Sequence, residues 1–205
     1  MNWRPILPPF RKFKKEMSAD VSLLADFIYQ IGESENLRKQ SKEVPLAKLT
    51  SPEMIQKFRY LKKCLLTYRK KTGYGRGIAA VQIGIPERFA VIYYNEKPLI
   101  IINPTITKSS KKNYRYSEMC MSAFPIVAPV VRPSWIEFTY YDECGDKKQW
   151  DTKDNTDEGR MYNRVFQHEI DHMEGIINID RVDSPRDLIM QSDPEFYASV
   201  KFEEL

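Results

Sequence analysis

The chain has 205 residues and a mass of 24.2 kDa, enough for one sizeable core and a single domain. It is 42% hydrophobic and 29% charged, as soluble globular proteins are, and no apolar run approaches the roughly 20 residues needed to cross a bilayer. The formal charge of +4 is that of residues 1–17, where Arg4, Arg11, Lys12, Lys14 and Lys15 face only Glu16; the remainder balances, which argues against a body built to bind nucleic acid, DNA included, and three cysteines without framework spacing point to a reducing compartment.

Residues 1 to about 16 contain Pro5, Pro8 and Pro9 and are expected to be irregular. Residues 1–27 are taken as a basic extension. A weak contact with ribosomal RNA is open to it, and so is organelle targeting; the apolar core of a secretory signal is missing. Asp20 to Ile31 is apolar at near-helical spacing and could start with a short helix. Ser51-Pro52-Glu53 opens a helix, with Ser at the cap and Pro at the first position. That helix should run to about Lys71 and stop before Gly73, with Ile55, Phe58, Leu61, Leu65 and Tyr68 turned inward. Cys64 lies on it as a small apolar residue.

Ala90–Tyr94 and Leu99–Asn103 read as strands joined through Asn95 to Pro98, and Val127–Arg132 and Trp135–Asp142 as further strands. Lys147–Thr152 is a hairpin partner across the turn that holds Cys144, an exposed thiol. Asp157 opens the last long helix, which ends near Gly175. The tail from Asp183 is acidic, weakly periodic and broken by Pro185 and Pro194. Strands before one central helix, without βαβ alternation, give an α+β fold.

That last helix carries the chain's only two histidines, in Gln167-His168-Glu169-Ile170-Asp171-His172. Residues four apart share a helix face, so His168 and His172 can reach one metal ion, and Glu169 beside it can take a proton from a bound water. A catalytic site of this kind needs a third ligand. No histidine follows His172, which leaves a downstream carboxylate, Glu195, or an upstream cysteine, of which Cys120 in Glu118-Met119-Cys120-Met121-Ser122 is the best placed.

Three segments in order resemble peptide deformylase. Gly75-Arg76-Gly77-Ile78-Ala79-Ala80-Val81-Gln82 resembles GxGxAAxQ, Glu118 to Ser122 resembles EGCxS, and Gln167 to His172 resembles QHExDH. With the stretch from Ile28 to Val44, the resemblance covers about residues 28–183 and leaves 184–205 as a tail. It implies small antiparallel sheets around the metal-binding helix, with an N-terminal helix. It implies Cys120, His168 and His172 as metal ligands and Glu169 as general base and then acid. Gln82 and the Met121 backbone N–H would be oxyanion donors, and Gly75 and Gly77 would line an extended peptide. The metal implied is Fe(II), with Zn(II), Ni(II) or Co(II) able to bind the same ligands.

The implied reaction removes the formyl group from N-formyl-methionyl nascent peptides and releases formate, in the cytoplasm, with no membrane partner. Met119 stands where relatives have Gly, so it either reshapes the substrate groove or points into the core. Met121 replaces Leu, Val81 replaces Pro or Thr, and Arg76 is expected to point to solvent. Two other functions remain open: a peptidase that uses His168, His172 and Glu195, and a deformylase-like protein with lost or altered turnover.

Overall fold

The computed structural model describes residues 27–190 and 201–205. Its first long helix, α1 (Pro52–Thr72), forms where capping chemistry asks for it. The Ser51 hydroxyl accepts from the Met54 N–H, Pro52 takes the first position, and Gly73 closes the helix with a left-handed φ of 78°. Its buried face is Met54, Phe58, Leu61, Cys64 and Leu65, rotated slightly from the expected one, so Ile55 lies half-buried and Met54 inside. Phe27 to Ile31 is turn and extended chain rather than helix; the rest of the apolar stretch from Asp20 lies outside the described residues.

Among the described residues, nine strands form two antiparallel sheets. The first has the order β1 (Gly77–Ala79), β2 (Phe89–Tyr94), β3 (Lys97–Ser109), β6 (Ile136–Tyr141), β7 (Lys147–Trp150). The second has the order β8 (Ile189–Met190), β5 (Ile126–Pro133), β4 (Asn113–Met119), β9 (Glu203–Glu204). The β2–β3 hairpin turns on Asn95 and Glu96, both left-handed, which matches the twist of paired strands.

The part of the first sheet made by β1, β2 and the first half of β3 is buried on both faces, and its period-two pattern sorts residues between two helices. Ile78, Phe89, Val91, Ile100 and Ile102 pack with Phe58, Leu61 and Leu65 of α1. Ala79, Ala90, Ile92 and Ile101 face the other way, against Phe166, Ile170 and Met173 of the central helix α2 (Asp157–Met173). Continuous apolar runs such as Leu99–Ile102 follow from this double burial.

Helix α2 starts at Thr156, whose hydroxyl accepts from the Gly159 N–H, with Asp157 and Glu158 at its positive end. It ends at Glu174 and Gly175. The Gly175 position admits no side chain, since a Cβ there would lie 2.7 Å from the Arg38 carbonyl carbon. Strand β4 was not legible in the polar run Asn113–Met119. It exists because seven of its residues pair with β5, ending at Glu118↔Ala128 and Met119↔Val127. The described parts of the acidic tail add β8 and β9 to the same sheet.

Candidate metal centre

His168 and His172 project from one face of α2, with ring centroids 4.9 Å apart. Cys120 meets them where β4 ends and a 3₁₀ turn, Met121–Ala123, begins. Its Sγ lies 3.2 Å from His172 Nε2 and accepts from the Ser122 N–H at 3.4 Å. One donor atom from each of the three residues can be chosen so that all lie within 4.8 Å of one another. Cys120 and His172 are buried, and the His168 side chain keeps 13% of its exposure. A thiolate with two imidazoles suits a borderline-soft divalent ion, and the separations are close to those of atoms sharing one ion at about 2.0–2.3 Å. Among the described residues, Cys120 lies beside the histidines. Glu195 lies outside them. Cys64 is buried in α1, and Cys144 is exposed in the β6–β7 turn.

Behind the three donors is a buried charge network that the motifs did not reveal. Glu118 Oε2 lies 3.0 Å from His168 Nδ1, which leaves Nε2 as the free ring nitrogen. Glu118 also accepts from Arg132 (2.7 and 3.0 Å) and from Arg164 (2.6 Å). Arg132 reaches on to Asp171 (2.7 Å), which Arg181 also holds. Arg164 donates to the carbonyls of Val130 (3.0 Å) and Tyr114 (2.6 Å), so one guanidinium ties α2 to β4 and β5. The sequence signal was present but weak: arginines within apolar runs, and acids next to predicted ligands.

Glu169 is buried against β1. A Cβ on Gly77 would overlap its carboxyl group, at 2.8 Å from Cδ and closer still to Oε1. The close approach of Glu169 therefore leaves no space for a side chain at position 77. Glu169 Oε2 and His172 Nδ1 are buried with no hydrogen-bond partner among the described residues. The free carboxylate oxygen is what a group that must exchange a proton with water requires.

Gln82 is buried and fixed at both ends. Its Oε1 accepts from the Ala79 N–H (2.8 Å) and its Nε2 donates to Ser122 Oγ (3.0 Å), 3.9 Å from Cys120 Sγ. Met121 opens its 3₁₀ turn, where the N–H has no partner within the turn. An extended strap, Tyr29–Ile31, clamps both segments. Tyr29 N–H donates to Gln82 O (2.8 Å), Ile31 N–H to Ser122 O (2.9 Å) and Gln30 Nε2 to Met121 O (2.9 Å). Gly75 is left-handed at φ 91°, with its Cα against the Tyr68 ring. Arg76 is exposed and Val81 is buried. Met119 is 36% exposed, so the alternative in which it points into the core does not hold.

Charge is distributed unevenly over the centre. Burial opposes ionisation of Glu118, but Arg132 and His168 hold its carboxyl well below the usual range. Burial likewise opposes a charged His168, yet Cys120 and Glu118 hold it well above 6.5. Burial and the positive charge of His168 push His172 well below. Burial raises Glu169 to about 7 against the pull of His168 and Arg132. Before any metal binds, one buried carboxylate is thus held ionised by its cationic neighbours, and a second is shifted toward neutrality by burial.

A sequence model of the polypeptide deformylase family matches residues 26–187. A peptide deformylase of Prochlorococcus marinus subsp. pastoris is 33% identical over 188 residues, which cover 88% of this chain and 83% of that one. Among solved structures, a probable peptide deformylase from Synechococcus phage S-SSM7 has a TM-score of 0.63 at 31% identity, covering 75% of this chain and 97% of that one. The Synechococcus elongatus peptide deformylase in complex with actinonin has a TM-score of 0.64 at 28% identity, covering 78% and 80%.

Proposed function

The chain belongs to the polypeptide deformylase family, and from that premise we propose how its own residues carry out the reaction. It is a hydrolase that removes the N-formyl group from the methionine at the start of newly made polypeptides and releases formate. Cys120, His168 and His172 would hold the metal. When bound, that ion supplies a Lewis acid that brings the pKa of water down toward roughly 7.

The remaining work falls to the protein. Glu169 Oε2 accepts the proton of the attacking water and passes it to the methionine nitrogen as the C–N bond breaks. Water adds to the formyl carbon, the amine leaves protonated, and formate carries both oxygens. The Gln82 amide and the Met121 N–H face the developing oxyanion; one such donor is worth about a hundredfold in rate. Glu118 keeps His168 in the tautomer that offers Nε2 to the metal. Ferrous iron is the metal proposed, on the likeness to the family. The cytoplasm is the proposed compartment, with three free thiols in its favour. The basic residues before Phe27 are proposed to lie near the ribosome.

The observation that carries this reading is the free Oε2 of Glu169 beside a Cys–His–His cluster. Every group the reaction needs is present, which favours an active enzyme over one with lost turnover. The test is formate release from a formyl-Met tripeptide by protein purified anaerobically, beside Cys120→Ser. Turnover by the parent, with metal and turnover both lost in the variant, is the expected result. Full metal content in Cys120→Ser would overturn the ligand set, and no formate from metal-loaded parent would overturn the activity.

A further inference from the structure

Helix α1 is the positive part of the body. Seven of the 32 basic residues lie within Pro52–Thr72, and Glu53 is the single acidic residue there of 28 in the chain. Outside this helix and residues 1–17 the chain holds 20 basic and 26 acidic residues. The neutral average of the body therefore hides a cationic helix set against an acidic remainder.

The helix sorts its cations by face. Those turned to the body are occupied. Lys57 pairs with Glu53 and Glu87, Lys62 pairs with Glu143 at 2.7 Å, and Arg69 lies over the Tyr93 ring at 3.7 Å. Arg59, Lys63 and Lys70 are exposed and have no acidic partner among the described residues. At 3.6 residues per turn they fall within an arc of about 40°, spaced by rises of about 6 and 10.5 Å. Tyr60 (47% exposed) and Leu66 (41%) flank them on either side. Past the helix end, Tyr74 and Arg76 continue the exposed surface.

We infer that this face of α1 is a docking surface for RNA. A straight row of unneutralised cations meets a phosphate backbone, and an exposed phenol ring beside it can stack on a base. The choice of RNA among polyanions rests on the proposed function, because a formylated N-terminus is met where chains are synthesised. The placement leaves the chemistry free: α1 packs on the face of the first sheet opposite to that covered by α2.

The test is fluorescence anisotropy of a short labelled RNA hairpin with the full, metal-loaded chain, beside the triple variant Arg59→Glu, Lys63→Glu, Lys70→Glu. Three phosphate contacts predict that parent affinity falls about 40-fold between about 50 and 200 mM salt. The variant should bind at least about tenfold more weakly while releasing formate from a formyl-Met tripeptide at the parent rate. Retained activity shows that the variant is folded and its centre intact. No saturable binding by the parent would overturn the inference. So would unchanged RNA affinity in the variant, which would assign binding to another surface, or preference for anionic phospholipid vesicles over the hairpin. Failure of the functional reading would show separately, as absence of formate from the parent.

Discussion

Replacing Glu118 by Gln should weaken the fold and the metal centre together, for different reasons. The carboxylate serves two guanidinium groups and one imidazole N–H: Arg132 at 2.7 and 3.0 Å, Arg164 at 2.6 Å and His168 at 3.0 Å. Glu118, Arg132 and Arg164 are all buried. Gln has the same volume, so what is lost is charge. Its single amide oxygen cannot replace two carboxylate oxygens, and its NH₂ meets guanidinium donors. Arg132 keeps Asp171, but Arg164 is left with the carbonyls of Val130 and Tyr114, so one buried positive charge loses its counter-ion. Breaking such a pair costs about 3–5 kcal/mol. At about 2–4 °C per kcal/mol for a chain of this size, Tm should fall by roughly 6–20 °C. The metal should bind about 10–100-fold more weakly, because His168 loses the acceptor that fixes its ring. Thermal melts of loaded and chelator-stripped protein, with competition by a chelator of known affinity, separate the two effects. The stability loss must persist in the stripped protein, since the arginines do not depend on metal. A stripped variant that melts within about 2 °C of the parent would refute the charge argument. An unchanged metal affinity would refute the orienting role.

Gly77→Ala places a methyl group into the buried Glu169 carboxyl, which must shift to make room for it. It should retain metal and lower kcat by about 100-fold, and near-normal kcat would show that Glu169 tolerates the shift. Glu169→Ala should keep full metal content and lose about 10²–10⁴-fold in turnover; metal loss would make Glu169 a ligand, and normal formate release would remove it from the mechanism. Met119→Gly deletes an exposed side chain next to Cys120, so kcat/KM on formyl-Met peptides should rise with metal content unchanged. An equal or lower value in a stably folded variant would show that Met119 does not restrict the substrate.

Several parts of this protein follow from the sequence alone because their causes are local. Helix α1 starts at Ser51-Pro52 and stops at Gly73 for reasons contained in those residues. The pairing of His168 and His172 needs only helical periodicity. The hairpin strands Ala90–Tyr94 and Leu99–Asn103 declare themselves by apolar runs around a turn. The family likeness added Cys120, which spacing could not choose over Glu195. Other parts needed the chain to fold. Strand β4 has no apolar signature of its own and exists through its register with β5. The close approach of Glu169 to Gly77, across 92 positions of sequence, exists only in the folded chain. The network of Glu118, Arg132, Arg164 and Asp171 could not be read beforehand, because a buried charge is tolerated only when its partners arrive from other elements. Sequence fixes which groups can bind a metal or move a proton, since that is a property of each side chain. Their distance, burial and counter-charges decide whether they do so, and these exist only once β4, β1 and α2 pack together.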